Sequence, residues 1–263
     1  MTIKEYVAAE KLKIADEVKG MDKAPCLAII QVGDVPASNA YVRGKIKDCE
    51  EVGVQSRHIR LPEDISEADL LAEIEKCNRD ESVDGLIVQL PLPKHISEAK
   101  VKLAVDTRLD VDGFHPLTSF VPCTPKGIVD YLRDEGFVFT GKNAVVIGRS
   151  NIVGKPMAKL LLQENCNVTV LHSKTTQEDM AFYLAHADLI VVAVGKLGFL
   201  DERFAYKPSA VIVDVGINRN EEGKLKGDAK EGLPVTLQTP VPGGVGLLTR
   251  LSLLKNVLIA AKK

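Results

Sequence analysis

The stretch NAVVIGRSNIVGKPMAKLLLQE, residues 143–164, decides the fold because it joins an apolar strand, a glycine turn and a helix. Residues 143–148 predict the strand, Gly148 and Gly154 the turn, and Pro156 the first turn of the helix. This arrangement places backbone N–H groups and a helix N-terminus where a dinucleotide pyrophosphate can bind. The spacing is G-x-S-x-x-x-G rather than G-x-G-x-x-G, so a structural turn is an equally good interpretation of this stretch alone.

The next strand-like run, residues 167–171, indicates which dinucleotide the turn would bind. NAD sites usually carry an acidic residue after the second strand, whereas the sequence HSKT follows here, at residues 172–175. A ribose 2′-phosphate would meet a hydroxyl group and a lysine, with Arg149 in reach from the glycine turn. The positive charge of these residues therefore favours NADP, and NAD is the alternative cofactor. The structural alternative is that residues 172–175 form a solvated turn without a ligand.

Strand-length apolar runs alternate with amphipathic helix-length stretches along the chain, as in α/β proteins with mainly parallel sheets. The nearly continuous Val, Ile and Leu content predicts strands that are covered on both faces. The predicted strands are residues 26–32, 56–61, 85–90, 143–148, 167–171, 188–195 and 210–216.

Between residues 107 and 125 the sequence becomes rich in Pro, Asp, Gly and Thr, which predicts an irregular segment that joins two domains. The sequence TPKGIVDYLRDEG follows, and predicts a helix capped by Thr124. We therefore expect a first domain of residues 1–117, joined by a C-terminal helix of residues 248–263. The second domain is expected to comprise residues 118–247.

Composition favours a globular protein that acts on small molecules. The 263 residues are 45% apolar, carry a net charge of −2 and include only 5% aromatic residues, which argues against nucleic-acid binding. No apolar run approaches the ~20 residues of a membrane span, and the N-terminal stretch is amphipathic, so we expect a cytoplasmic protein without membrane contact. The five cysteines are scattered without a zinc-binding pattern, which predicts reduced thiols and no metal site.

The stretch SNAYVRGK, residues 38–45, places Ser38, Tyr41 and Lys45 on one face of a predicted helix. A lysine that extends to solvent beside a half-buried tyrosine is the structural alternative. The stretch DGLIVQLPLP places Gln89 at the carboxyl end of a strand, where open α/β sheets bind ligands.

The turn DVDGFHP carries two carboxylates, Asp110 and Asp112. A carboxylate in a turn is more often a local hydrogen-bond acceptor than a ligand, but with the lysine, tyrosine and glutamine it predicts a polar cleft. A lysine can act as a base where burial and neighbouring dipoles lower its pKa. A glutamine and a tyrosine could orient such an amine without adding negative charge.

Taken together, a series of stretches resembles the bifunctional methylenetetrahydrofolate dehydrogenase/methenyltetrahydrofolate cyclohydrolase family. They occur in the order of the family and run almost from end to end of the chain. The matching stretches are residues 32–54, 84–93, 110–116, 122–128, 145–161, 168–175, 187–196, 211–219 and 239–246.

The resemblance implies two α/β domains, an N-terminal substrate and catalytic domain and a C-terminal Rossmann-type NADP-binding domain, with the C-terminal helix packing back on the first domain. It implies oxidation of 5,10-methylenetetrahydrofolate to the 5,10-methenyl form with NADP, and hydrolysis of that product to 10-formyltetrahydrofolate. Both steps belong to one-carbon metabolism, which supplies purine biosynthesis. The resemblance also implies a homodimer.

The resemblance implies that Lys45 is essential for hydrolysis, that Tyr41 lies beside the pterin, that Gln89 tunes the lysine and that Asp112 grips the pterin ring. These four residues are the expected catalytic set. The implied substrate contacts are Ser38, Tyr41, Gln89, Leu90, Pro91, Asp112, Pro242, Gly243 and Gly244. The implied cofactor contacts are Gly148, Arg149, Ser150, Val153, Gly154, His172, Ser173, Lys174, Thr175, Val194, Gly195, Gly216 and Ile217.

The sequence departs from the family at several positions. Leu247-Leu248 replaces a Pro-Met pair, the loop after His115 is shorter, and Leu109 stands where a lysine is frequent. A cyclohydrolase without dehydrogenase activity and a non-catalytic folate or nucleotide sensor remain alternatives. A short-chain dehydrogenase is disfavoured because its glycine loop precedes its Tyr-x-x-x-Lys pair, whereas a shikimate-type or amino-acid dehydrogenase would have the same domain order.

Overall fold

The computed structural model describes residues 1–262, which form two compact units. Unit 1 comprises Met1–Tyr6 and Thr124–Thr249. Unit 2 comprises Val7–Cys123 and continues from Arg250 to the end of the described chain. Each unit has its own parallel sheet and its own apolar core.

Unit 2 contains a three-stranded parallel sheet in the order β2-β1-β3. Its strands are β1 Cys26–Val32, β2 Gln55–Leu61 and β3 Gly85–Val88. Its helices are α2 Pro36–Val52, α3 Glu67–Arg79 and α4 Glu98–Ala104, together with most of α1 Ile3–Lys19 and of the last helix, α8 Val245–Ala261.

The central strand of this sheet is wholly buried, whereas its outer strand is not. Every residue of β1 is buried, and Ile30 pairs with Ile59 on β2 and with Val88 on β3. Strand β2 instead alternates between exposed and half-buried residues, because it lies at the edge of the sheet. The expectation of cover on both faces is therefore wrong for residues 56–61, and it is also wrong for residues 167–171, of which only Leu171 is buried.

Unit 1 contains a five-stranded parallel sheet in the order β10-β7-β6-β4-β5. Its longer strands are β4 Asn143–Ile147, β5 Asn167–Leu171, β6 Leu189–Val192 and β7 Val211–Asp214. Its helices are α5 Cys123–Asp134, α6 Gly154–Gln163 and α7 Gln177–His186. The chain runs outward from β4 to β5 and then returns to β6 on the other side of β4, so the strand order reverses at β4, where doubly wound sheets bind ligands.

Three short strands are absent from the sequence prediction: β8 Asn218–Arg219, β9 Leu225–Lys226 and β10 Leu237–Gln238. Two residues are too few to produce an alternating pattern. Helix α5 begins before Thr124, whose hydroxyl group lies 2.9 Å from the Thr249 hydroxyl, so the predicted threonine cap is wrong. The irregular segment between α4 and α5 is confirmed.

The helix that ends the chain packs on unit 2, as the sequence predicts. Lys255 Nζ lies 2.5 Å from Glu10 Oε2 on α1, and the buried Asn256 side chain donates to the Val111 carbonyl at 2.8 Å. All five cysteines are buried, and they form no disulfide within residues 1–262. Among residues 1–262, no helix is long and apolar enough to cross a membrane.

Candidate active site and nucleotide site

Helix α2 carries the stretch SNAYVRGK, residues 38–45. Pro36 occupies its first turn, and Gly53 ends it in the left-handed conformation (φ 81°), with its backbone N–H directed at the carbonyls of the last turn. Between these ends Ser38 and Lys45 are buried and Tyr41 is half-buried. The helix therefore turns these three side chains inward, as the spacing predicts.

The amine of Lys45 bonds the side chain of Gln89. Lys45 Nζ donates to Gln89 Oε1 at 3.2 Å, and the lysine is only 8% exposed. Gln89 Nε2 in turn donates to the Leu90 carbonyl at 2.7 Å, which fixes the orientation of the amide. Ser38 Oγ donates to the same carbonyl at 3.4 Å. The buried cation is thus held by a neutral amide rather than by a carboxylate.

Tyr41 completes the same helix face as an uncharged group. Burial raises the pKa of its phenol, and the positive charge of Arg250 opposes that change without reversing it. A neutral phenol ring provides a flat apolar surface with one polar end. Tyr41 can therefore pack against an aromatic substrate ring beside the Lys45 amine.

The carboxylates of the DVDGFHP turn have different surroundings. Asp110 is buried and accepts a hydrogen bond from the backbone N–H of His115 at 2.7 Å. Burial raises the pKa of Asp110, although backbone hydrogen bonds from His115 and Phe114 favour its charged form. Asp112 lines a groove with Leu90 and Phe114, and no hydrogen bond within the described residues joins it to Lys45 or Gln89.

Asp110 therefore holds the loop, and both carboxylates line a groove in unit 2, where Asp112 is the less buried of the two. Leu90 also lines this groove, and its carbonyl accepts the hydrogen bond from the Gln89 amide. Pro91 itself is exposed directly beyond this carbonyl. Hydrogen bonds connect Ser38 and Gln89 to the Leu90 carbonyl, and Leu90 and Asp112 line the same groove.

The predicted substrate contacts at Pro242, Gly243 and Gly244 belong to unit 1 and precede α8. Gly243 has a φ of 93°, which favours glycine. A Cβ on Gly244 would lie 2.2 Å from the Pro240 carbonyl oxygen. The tight backbone of this segment therefore explains both glycines.

The glycine turn after β4 is close-packed, as a nucleotide-binding turn requires. A Cβ on Gly148 would lie 2.4 Å from the Ala193 carbonyl oxygen, and one on Gly154 would lie 2.3 Å from the Gly148 carbonyl oxygen. Ser150 Oγ accepts from the backbone N–H groups of Val153 and Gly154 at 3.1 and 3.3 Å. The turn therefore leads directly into the N-terminus of α6, whose partial positive charge suits a phosphate.

The HSKT run forms a turn at the carboxyl end of β5, beside the glycine turn. The His172 N–H donates to Thr175 Oγ1 at 2.9 Å, and the Lys174 N–H donates to His172 Nδ1 at 3.2 Å. Ser173 and Lys174 are left exposed, and Arg149 is exposed at the end of the neighbouring strand β4. His172 and Thr175 thus shape the turn, while the lysine and the serine point their polar groups to solvent.

Two buried aspartates fix the loops after β6 and β7, where the remaining predicted cofactor contacts lie. Asp228 Oδ2 accepts from the backbone N–H groups of Val194 and Gly195 at 2.7 and 3.0 Å. Asp214 Oδ1 accepts from the Gly216 N–H at 2.9 Å. Ile217 follows and is exposed. Burial raises the pKa of Asp214, while its backbone hydrogen bonds act in the opposite direction.

The sequence interpretation misses both of these aspartates. Asp214 ends the apolar strand β7, and a charged residue at the end of a buried strand is a recognisable signal. Asp228 lies in an irregular segment without any such pattern. The four predicted loops nevertheless lie at the carboxyl ends of neighbouring strands, which is where the reversal of strand order at β4 predicts a nucleotide.

Two family models cover nearly all of the chain. The catalytic domain of tetrahydrofolate dehydrogenase/cyclohydrolase matches residues 1–112, and the NAD(P)-binding domain of the same family matches residues 122–263. The second match confirms that the predicted cofactor is a nicotinamide dinucleotide. Because both domains match, the short-chain and shikimate-type alternatives are set aside.

Similar proteins come from several bacteria. Bifunctional protein FolD of Brevibacillus brevis is 47% identical, and the match covers 99% of this chain and 96% of that protein. Bifunctional protein FolD of Listeria innocua is 48% identical, with 99% and 94% of the two chains covered.

Solved structures agree with these relatives. The bifunctional enzyme FolD, a methylenetetrahydrofolate dehydrogenase/cyclohydrolase, from Campylobacter jejuni is 42% identical with a TM-score of 0.94, covering 99% of this chain and 97% of that chain. The enzyme from Trypanosoma brucei, solved with NADP and an inhibitor, is 30% identical with a TM-score of 0.93, covering 100% and 96%. The predicted family and the predicted fold of two α/β domains are confirmed, and the chain belongs to the tetrahydrofolate dehydrogenase/cyclohydrolase family of enzymes.

Proposed function

We propose that this chain oxidises 5,10-methylenetetrahydrofolate to the 5,10-methenyl form with NADP, and hydrolyses that product to 10-formyltetrahydrofolate. The observation that carries the proposal is the buried Lys45 amine, held at 3.2 Å by the neutral Gln89 amide in a chain of this family. A buried cation without a carboxylate partner is costly, and such groups are concentrated at functional sites.

Lys45 serves the hydrolysis step. Water adds to the methenyl carbon, one proton is released, and a carbon–nitrogen bond of the bridge opens to leave the formyl group on N10. An amine held at the bridge can accept the proton from water and pass it on. Gln89 orients this amine, and because the amide is uncharged it adds no electrostatic preference for the protonated form.

The oxidation step needs alignment more than side-chain chemistry. NADP, when bound, accepts the hydride from the methylene carbon. The protein brings the two reactants together, and we assign Tyr41 to packing on the pterin and Asp112 to hydrogen bonding with its ring. Ser38, Leu90 and Pro91 shape the wall of this substrate site.

The cofactor is assigned to the carboxyl ends of β4, β5, β6 and β7 in unit 1. The close-packed glycine turn fits a pyrophosphate at the N-terminus of α6. Lys174 and Arg149 are exposed at the ends of adjacent strands, where both can reach a ribose 2′-phosphate, and the HSKT turn offers no carboxylate to repel it. These positive charges favour NADP over NAD. We assign folate binding to unit 2.

We also propose a homodimer that forms through unit 1. Strand β5 lies at the edge of its sheet, and an edge strand can pair with a second chain. Val170 on β5 is 38% exposed, and Leu162 on α6 and Phe182 on α7 are 59% and 58% exposed. We further propose a cytoplasmic location, which the five cysteines without a disulfide support.

The test is to mix the purified protein with 5,10-methylenetetrahydrofolate and NADP, and to follow NADPH and the methenyl form by their separate absorbance. We expect NADPH without build-up of the methenyl form. Lys45→Ala is expected to make the methenyl form accumulate. Lys47→Ala is the matched control, because that lysine lies on the same helix with a side chain that is 72% exposed.

The other outcomes distinguish the alternatives. Hydrolysis of added methenyltetrahydrofolate without NADP or NAD reduction would mean a cyclohydrolase that lacks dehydrogenase activity. Folate binding without either reaction would mean a sensor. Accumulation of the methenyl form in the Lys47→Ala control as well would contradict the role of Lys45.

A further inference from the structure

Arg250, on α8, lies across the face of α2 that carries Lys45. Its Nε is 3.1 Å from Asp48 Oδ2, and its side chain is 22% exposed. One terminal nitrogen of its guanidinium occupies the space beside Gly44, because a Cβ at that position would lie only 2.0 Å from it. The arginine therefore contacts α2 immediately before Lys45 and again three residues after it.

These contacts share one helix face with the proposed catalytic residues. Positions 41 and 48 are each three or four residues from both Gly44 and Lys45, so Tyr41 and Asp48 are neighbours of both positions on α2. The charge of Arg250 also reaches Tyr41, where it lowers the pKa of the phenol against the larger effect of burial. Arg250 thus adjoins the active face without bonding Lys45 itself.

Asp48 makes this arrangement necessary. The residue is 4% exposed, and Lys11 Nζ of α1 lies 2.5 Å from its Oδ1 while Arg250 lies at its Oδ2. Without the arginine, a buried carboxylate with only one cationic partner would remain one helical turn from Lys45. That carboxylate would compete with Gln89 for the amine, and burial would make the competition strong.

We propose that Arg250 is a positioning residue for the hydrolysis step: it neutralises Asp48 and holds the Gly44 side of α2, so that Lys45 stays on Gln89. This inference rests on the proposed function, because it assigns Lys45 to hydrolysis. Arg250 has no contact with reacting atoms in this account and acts only through α2.

The test compares both activities in each variant. Arg250→Met is expected to lower kcat for hydrolysis about tenfold while KM and the dehydrogenase rate stay within about twofold, because the misplaced group acts in one step only. Arg250→Lys keeps the charge on Asp48 and is expected to restore at least half of the loss. Lys255→Met is the matched control, since it removes another ion pair of α8, with Glu10, that does not involve α2.

A second variant keeps the test valid if Arg250→Met does not fold. Gly44→Ala favours the helix, and its methyl group displaces only the flexible end of the arginine side chain. We expect a loss of about threefold in hydrolysis with an unchanged dehydrogenase rate. Equal loss of both activities, a change in KM alone, or the same loss in Lys255→Met would overturn the inference. A native protein that oxidises its substrate but does not hydrolyse the product would overturn the hydrolysis assignment and this inference together.

Discussion

Two buried charged groups, Lys45 in unit 2 and Asp228 in unit 1, have opposite surroundings. In unit 2, the Lys45 amine makes one hydrogen bond within the described chain, to the neutral Gln89 amide. In unit 1, Asp228 is completely buried and its carboxylate accepts four hydrogen bonds, from the backbone N–H groups of Val194, Gly195 and Lys196 and from Asn218 Nδ2. The aspartate is satisfied on both oxygens, whereas the lysine retains donors that a substrate or water can use.

This difference separates a group that holds the fold from a group that can react. A fully bonded carboxylate has no free capacity for a ligand and contributes rigidity. An amine with a single hydrogen-bond partner keeps donor capacity that a substrate or water can use. Substitutions that change one of these two surroundings at a time can separate the two roles.

Removing the charge of Asp228 is expected to have the largest effect. Asp228→Asn turns an amide NH2 toward backbone donors and leaves buried N–H groups unpaired, which should lower the free energy of unfolding by about 3 kcal/mol. Urea denaturation measures this loss, and NADP affinity should fall as well because the loop at Val194 and Gly195 loses its anchor. Glu222→Gln is the control, since this exposed residue should change stability by less than about 0.5 kcal/mol.

Giving Lys45 a charged partner is expected to have the next largest effect. Gln89→Glu would give the amine a negatively charged partner that favours its protonated form, so hydrolysis should fall about 100-fold while the dehydrogenase rate changes little. Gln89→Met, which removes the hydrogen bond without adding charge, should cost about tenfold in hydrolysis. The hydrolysis rates of the two variants are measured with added methenyltetrahydrofolate. Equal losses in both variants would show that the charge of the group bonded to Lys45 is unimportant.

Much of this comparison could be predicted from the sequence. Apolar runs bounded by turn residues predicted the seven longer strands, because a strand of a parallel sheet is usually a continuous run of apolar residues. Helical spacing placed Tyr41 and Lys45 on one face, and the polar residue after an apolar strand placed Gln89 at the carboxyl end of β3. The Lys45 to Gln89 bond follows from these two local patterns once β1 and β3 are neighbours.

The remaining parts depend on contacts that no local pattern records. Asp228 lies in an irregular loop, and only the folded chain brings it to the N–H groups after β6. Arg250 lies in an apolar helix more than two hundred residues after Asp48, so neither residue indicates the other. Burial of single charges is decided by tertiary structure, which is why the sequence identified Lys45 and Gln89 but not Asp48, Arg250 or Asp228.

Lys45 itself should limit stability rather than support it. Lys45→Met replaces a buried cation with an apolar side chain of similar length, so the free energy of unfolding should rise by about 1 kcal/mol even though hydrolysis is lost. Urea denaturation of the native protein and the variant at neutral pH measures the difference. A lower free energy of unfolding for the variant would mean that the Lys45 amine is bonded as completely as the Asp228 carboxylate, and the contrast between these two residues would then be wrong.

The smallest expected effect concerns Cys49, which is completely buried on α2 directly after Asp48. Burial, reinforced by the Asp48 charge, raises the pKa of its thiol from 9.0 to about 12. From about pH 9 upward the unfolded chain therefore loses a proton that the folded chain keeps, and the free energy of unfolding must fall as the pH rises.

Cys49→Ala removes this dependence. Between about pH 8.5 and pH 9.5 the native protein should lose about 0.7 kcal/mol more than the variant, as measured by urea denaturation at each pH. Cys166→Ala offers a comparison in unit 1, because burial raises the pKa of that thiol to about 11 and the same sign applies. If the gap between the native protein and Cys49→Ala stayed constant, a thiolate would form beside Asp48 as readily as in the unfolded chain. The buried surroundings of α2 would then tolerate an unpaired negative charge, and Arg250 would not be needed to neutralise Asp48.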